Sequence, residues 1–143
     1  MRVGPQPIIA RPTWYDRAPT PRVDHYWGQG VGPHAVTTRL TYTCPALKKA
    51  MVEVLQVRVR RQTAATTLGL AGAYAMLTPS GGSAKEILDA YLSNNTVDAR
   101  NEAAIGTTLM LFAGDVLDLR TYDASTGGTC DYFVCYKITE FDA

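Results

Sequence analysis

Histidine and cysteine are both scarce in this 143-residue sequence, which has two histidines (His25 and His34) and three cysteines (Cys44, Cys130 and Cys135). An odd, sparse cysteine count gives no disulfide framework. Cys130 and Cys135 are five positions apart, so on a regular strand they face opposite sides. The thiols are expected to be reduced and mostly buried, in a protein made in a reducing compartment. There is no CxxC pair, His-x-His pair or Asp-rich calcium loop, so no metal or other cofactor is expected. Nucleophilic catalysis usually needs a histidine or equivalent base placed by the fold. Both histidines fall near the N-terminus, away from every cysteine, and the chain is not expected to be an enzyme.

Long apolar runs and strong net charge are also missing. The longest apolar stretch, Leu68 to Leu77, is about half of what a bilayer requires. Pro5, Pro7 and Pro12 stand where a secretion signal would be continuously apolar. No membrane partner is expected. The formal net charge is +1, which gives no global case for nucleic acid. Arg58, Arg60 and Arg61 read as charges guarding an exposed strand edge. A nucleic-acid patch is the rival reading, but no aromatics are interleaved with them in sequence.

What the chain does have is an uneven distribution of proline. Six of the eight prolines lie in the first 33 residues. Proline removes a backbone donor and biases its predecessor to extended conformations. Residues 1–35 are therefore read as an extended arm, ending in a Gly28, Gly30, Gly32, Pro33 joint, and residues 36–143 as the folded domain. The arm holds Arg2, Arg11, Arg17 and Arg22 against Asp16 and Asp24 (4 − 2 = +2). It also carries both tryptophans. Exposed aromatics are typical interface anchors. Trp14, Tyr15, Tyr26 and Trp27 are thus the candidate partner-binding residues, with Arg11 and Arg17 at the rim.

From residue 36 the pattern is short alternating runs separated by turns. Val36, Thr38, Leu40 and Tyr42 alternate with polar residues, as in a half-buried strand. A second strand runs through Met51 to Arg60, with a bulge expected near Val54-Leu55. Further strands are read at 66–77, 85–92, 97–104, 107–112, 116–122 and 130–139. About eight strands without a βαβ rhythm predict an all-β antiparallel, jelly-roll-like sandwich. Asp115, Asp118, Asp123 and Asp131 are read as turn caps and solvated strand positions, with a calcium site as the alternative. Tyr74, Tyr91, Tyr122, Tyr132 and Tyr136 offer either core packing or ring faces for carbohydrate.

The run Leu109-Met110-Leu111-Phe112-Ala113-Gly114-Asp115-Val116-Leu117-Asp118-Leu119 resembles the strand, x-Gly-Asp turn and strand segment of jelly-roll domains. Among these are the trimeric modules of the tumour-necrosis-factor and complement-C1q type. The stretch from Tyr42-Thr43-Cys44-Pro45-Ala46 to the C-terminus is similar to small virion proteins of tailed bacteriophages, of the capsid decoration or cement type. That resemblance covers about 100 residues and leaves out the proline-rich arm. It implies a non-enzymatic, homotrimeric virion component, made in the bacterial cytoplasm, whose partner is a major capsid protein or another virion subunit. The alternative is a tail or head-fibre module whose loops 78–84 and 123–129 contact host glycan.

Overall fold

The computed structural model describes residues 21–143. These form nine strands: β1 (Pro21–Val31), β2 (His34–Thr43), β3 (Lys48–Thr63), β4 (Ala71–Thr78), β5 (Lys85–Leu92), β6 (Arg100–Ala104), β7 (Leu109–Phe112), β8 (Val116–Asp123) and β9 (Thr129–Asp142). Every pairing between them is antiparallel. One sheet has the order β1-β9-β3-β6, with β7 also on β3, and the other is β2-β8-β4-β5. β6 and β7 occupy one strand position in two pieces, so eight positions divide four and four between the sheets. This is jelly-roll order, as the sequence predicts.

Alternation builds the core. Val52, Leu55, Val57 and Val59 of β3 are fully buried, each stabilising the fold by about 1.5–3 kcal/mol. They lie beside Tyr132, Val134 and Ile138 of the neighbouring β9 and share one cluster with Leu117 and Leu119 of β8 in the other sheet. The buried parity of β3 changes between Val52 and Leu55, where the register with β9 slips between Val52 and Val54. This is the expected bulge. Opposite it, residues 105–108 leave the sheet between β6 and β7, and Ile105 N–H donates to the Leu55 carbonyl at 3.1 Å.

The sandwich begins inside the segment read as an arm. Pro21 to Val31 pair residue by residue with Thr139 to Thr129 of β9. Pro21 is tolerated because it is the first residue of an edge strand. Gly28 and Gly30 are needed for another reason. A Cβ on Gly28 would collide with the Tyr26 ring, and one on Gly30 would come within 2.8 Å of His34 Cε1. The described part of the arm is thus an edge strand whose glycines admit inward-facing rings. The Gly32–Pro33 joint to β2 holds a cis peptide bond, and Gly32 is buried.

Candidate functional site

The outer face of the β1-β9-β3-β6 sheet is the most distinctive surface among the described residues. Inward parity on β1 belongs to Tyr26 and Gly28, so Val23, His25, Trp27 and Val31 point outward. Val23 and Trp27 are each 70% exposed and Val31 63%. On β7, Leu111 is fully buried, which turns Met110 and Phe112 outward. Phe112 is 62% exposed. These exposed apolar side chains share the face with the charged outward residues Glu53, Arg58, Arg60, Asp131 and Lys137 of β3 and β9.

Two cross-strand rows structure this face. One runs Trp27, Phe133, Arg58, Glu102 and the next Gln29, Asp131, Arg60, Arg100. Between them lies a shallow groove of about 160 Å³ lined by Trp27, Arg58, Arg60, Arg100 and Asp131. The arginines are not equivalent. Arg60 donates to Asp131 Oδ2 from Nε at 3.0 Å and from Nη2 at 2.5 Å, and from Nη1 to Asp98 Oδ1 at 3.3 Å. These bonds, led by that to Asp131, raise its pKa and keep it charged. The Arg58 guanidinium carbon stands 5.4 Å from the Phe133 ring centre, within cation–π range. Among the described residues neither Arg58 nor Arg100 forms an ion pair. The groove therefore offers two unpaired planar forks beside an exposed indole.

The three closely spaced arginines of the sequence part company here. β3 is flanked by β9 and β6, so it is no sheet edge and the edge-guarding reading fails. Arg58 and Arg60 point out, whereas Arg61 follows the inward parity of Val57 and Val59 and is fully buried. Its Nη2 donates to Ser125 Oγ at 3.2 Å, and its Nη1 lies 3.9 Å from Asp123 Oδ2. Along the sequence no aromatics are interleaved with these arginines. In space Trp27 and Phe133 supply them, a juxtaposition that only the strand register reveals.

The other candidate residues are dispersed. Arg11, Trp14, Tyr15 and Arg17 lie outside the described residues. Tyr26 faces inward, packs against the core and carries the Arg39 guanidinium 4.6 Å over its ring, so it is a packing residue. The four aspartates do not converge. Asp115 accepts from Ser80 N–H and Phe112 N–H, both at 2.9 Å, and Asp123 accepts from Ser125 N–H at 2.8 Å. Asp118 and Asp131 accept from Arg120 and Arg60. Among the described residues no three His, Cys, Asp or Glu side chains gather as metal ligands.

The tyrosines divide in the same way. Tyr132 and Tyr136 are core, and Tyr74, Tyr91 and Tyr122 pack against one another with ring centres 5.9–6.4 Å apart. The two loops proposed to meet a glycan together lie at opposite ends of β8. Loop 79–84 is tied to Asp115, beside the start of β8, and loop 124–128 follows its last residue, Asp123. They cannot form one surface.

No protein-family model matches the chain, and no curated protein matches it. Among solved structures it is similar to infectious bursal disease virus, Gt strain, at 14% identity and TM-score 0.45, over 87% of this chain and 33% of that one. The Gx strain of the same virus gives 11% identity and TM-score 0.45, over 85% and 32%. Murine APRIL gives 11% identity and TM-score 0.42, over 78% and 98%. The chain thus spans about a third of the length of the viral chains it matches. Identities of this size carry no functional assignment.

Proposed function

We propose that this chain is a non-enzymatic structural subunit of a virus particle, of the capsid decoration type. In this reading it attaches to the protein shell through the outer face of the β1-β9-β3 sheet and the residues preceding Pro21. The attachment reading is carried by the exposed apolar side chains on that face, with Trp27 at 70% exposure on the strand that continues from residues 1–20. A large aromatic held on a rigid sheet is the kind of anchor that dominates protein interfaces. Arg11, Trp14, Tyr15 and Arg17 extend the anchoring set along the chain. The virion setting rests on the resemblance of residues 42–143 to phage virion proteins, and jelly rolls recur in viral capsid domains. The same resemblance supports a homotrimer, in which three linked contacts strengthen attachment by raising effective concentration.

The test uses gradient-purified particles and the full chain. Mass spectrometry of the particles is expected to find the chain at a fixed ratio to the shell protein. A chain lacking residues 1–20 keeps all nine strands, and a Trp27→Ala chain changes stability by less than about 0.5 kcal/mol because the ring is exposed. Both variants are expected to fold and to co-sediment poorly with the particle. Full co-sedimentation of both would sink the reading. Sedimentation equilibrium of the free chain checks the trimer, and a monomeric mass would overturn it.

A further inference from the structure

The groove between Trp27 and the arginines says something about the chemistry of what docks there. We infer that it receives a carboxylate side chain of a partner protein, an Asp or Glu presented singly between apolar residues. This deepens the attachment reading and rests on the same sheet face.

Two of the groove's three arginines are left unpaired. Arg60 is committed to Asp131 and Asp98, whereas Arg58 and Arg100 have no acid partner among the described residues. Guanidinium forks bind carboxylates in two-point geometry. Arg58 is also held in place, since its guanidinium lies over Phe133, which is itself stacked on His25. A preordered fork loses less entropy on binding than a free one.

The alternatives fit less well. The groove and its margin hold three arginines against Asp131, Asp98 and Glu102, a balance of zero (3 − 3). A polynucleotide brings one charge per phosphate and would meet those acids as well as the arginines. A sugar spreads many single hydrogen bonds over its hydroxyls, whereas the donors left free here are two guanidinium forks, whose paired N–H groups match one carboxylate. A volume of about 160 Å³ takes one side chain, not a drug-sized ligand, which fills several hundred Å³. On the same strand as Trp27, Val23 and Val31 stand four residues to either side and are exposed, and they offer apolar contacts to the partner chain beyond the bound carboxylate.

The experiment follows the Trp27 indole N–H resonance of the full chain, assigned by its loss in Trp27→Ala. The probe is an acetylated, amidated Leu-Glu-Leu-Glu peptide, with a Leu-Gln-Leu-Gln control. The expected result is a saturable shift with the Glu peptide, at least about tenfold weaker with the Gln peptide or in R58Q/R100Q, a loss of about 1.4 kcal/mol. Equal shifts with both peptides, or an unchanged affinity in R58Q/R100Q, would overturn the inference. Tighter binding of oligothymidylate or oligogalacturonate than of the Glu peptide would also overturn it, in favour of nucleic acid or acidic glycan. The two proposals fail separately. R58Q/R100Q chains that co-sediment with particles as well as the parent leave attachment standing and remove this inference. A Glu-specific shift in a chain absent from particles does the reverse.

Discussion

Arg61 Nη1 stands 3.9 Å from Asp123 Oδ2, and neither side chain is exposed to solvent. The pair joins β3 of one sheet to the end of β8 in the other, and Ser125 completes it by accepting from Arg61 Nη2 and donating its N–H to Asp123 Oδ1. Removing one charge leaves the other buried and uncompensated, which costs about 3–5 kcal/mol. Arg61→Met is expected to lose that much in urea unfolding. Arg61→Met combined with Asp123→Asn keeps the acceptor for Ser125 and is expected to recover most of the loss. A double variant as unstable as the sum of the singles would show that the two residues act independently.

His34 packs edge-on against Tyr132, with ring centres 5.6 Å apart. Burial holds its pKa below the ordinary histidine value, Arg39 acts in the same direction, and Asp123 and the Val31 backbone oppose them. The unfolded chain takes up a proton near pH 6.5 that the folded chain resists. The unfolded state therefore binds more protons, and stability falls as pH drops below about 6.5 towards the folded pKa. His34→Gln is expected to flatten the stability profile in that window. An unchanged slope in urea midpoints between about pH 7 and 5 would assign the acid sensitivity to other groups.

The thiols should react in a fixed order. Cys130 is fully buried, and burial pushes its pKa up to about 11. Cys44 is buried, and burial raises its pKa too. Cys135 is half-buried on the outer face of β9. The thiolate is the reactive form, so a thiol-exchange reagent should label Cys135 in the native protein and the other two only on unfolding. Rapid native labelling of Cys130 would contradict the packing of that end of the sandwich.

Gly128 and Gly81 make a controlled pair. Both have positive φ, +72° and +71°. A Cβ on Gly128 would sit 2.7 Å from Ala65 N, whereas one on Gly81 meets nothing within 4 Å. Gly81→Ala should cost only the backbone penalty of about 1–2 kcal/mol. Gly128→Ala adds a clash with backbone that cannot swing away, for a total of about 2–4 kcal/mol. Equal losses in thermal unfolding would mean that the 64–65 segment yields easily.

The strands legible in the sequence pattern are those with one wet face. β3 and β9 alternate cleanly because their inner residues are the core and their outer ones meet solvent, and the parity change from Val52 to Leu55 marks the bulge in the residue order alone. β1 is hidden because its proline and glycines mimic a loop. Pro21 is harmless at an edge, and Gly28 and Gly30 yield space to Tyr26, His34 and Tyr132, partners that no local window contains. The groove is illegible for the same reason. Arg58 and Arg60 are neighbours in sequence parity, but Trp27 and Arg100 reach them through three strand registers. Arg61 resembles its neighbours in sequence and is their opposite in space, since one step along a strand changes the face.

The edge strand β1 also has a mechanical consequence. Any tension transmitted through the chain preceding Pro21 enters the domain at the end of a ladder that runs from Pro21–Thr139 to Val31–Thr129. A pull along the strand axis loads those rungs together, in shear, and β9 passes the force to β3 at the middle of the sheet. A pull across the axis opens them one at a time, like a zip. The direction from which a tether leaves Pro21 therefore sets how much force the domain withstands.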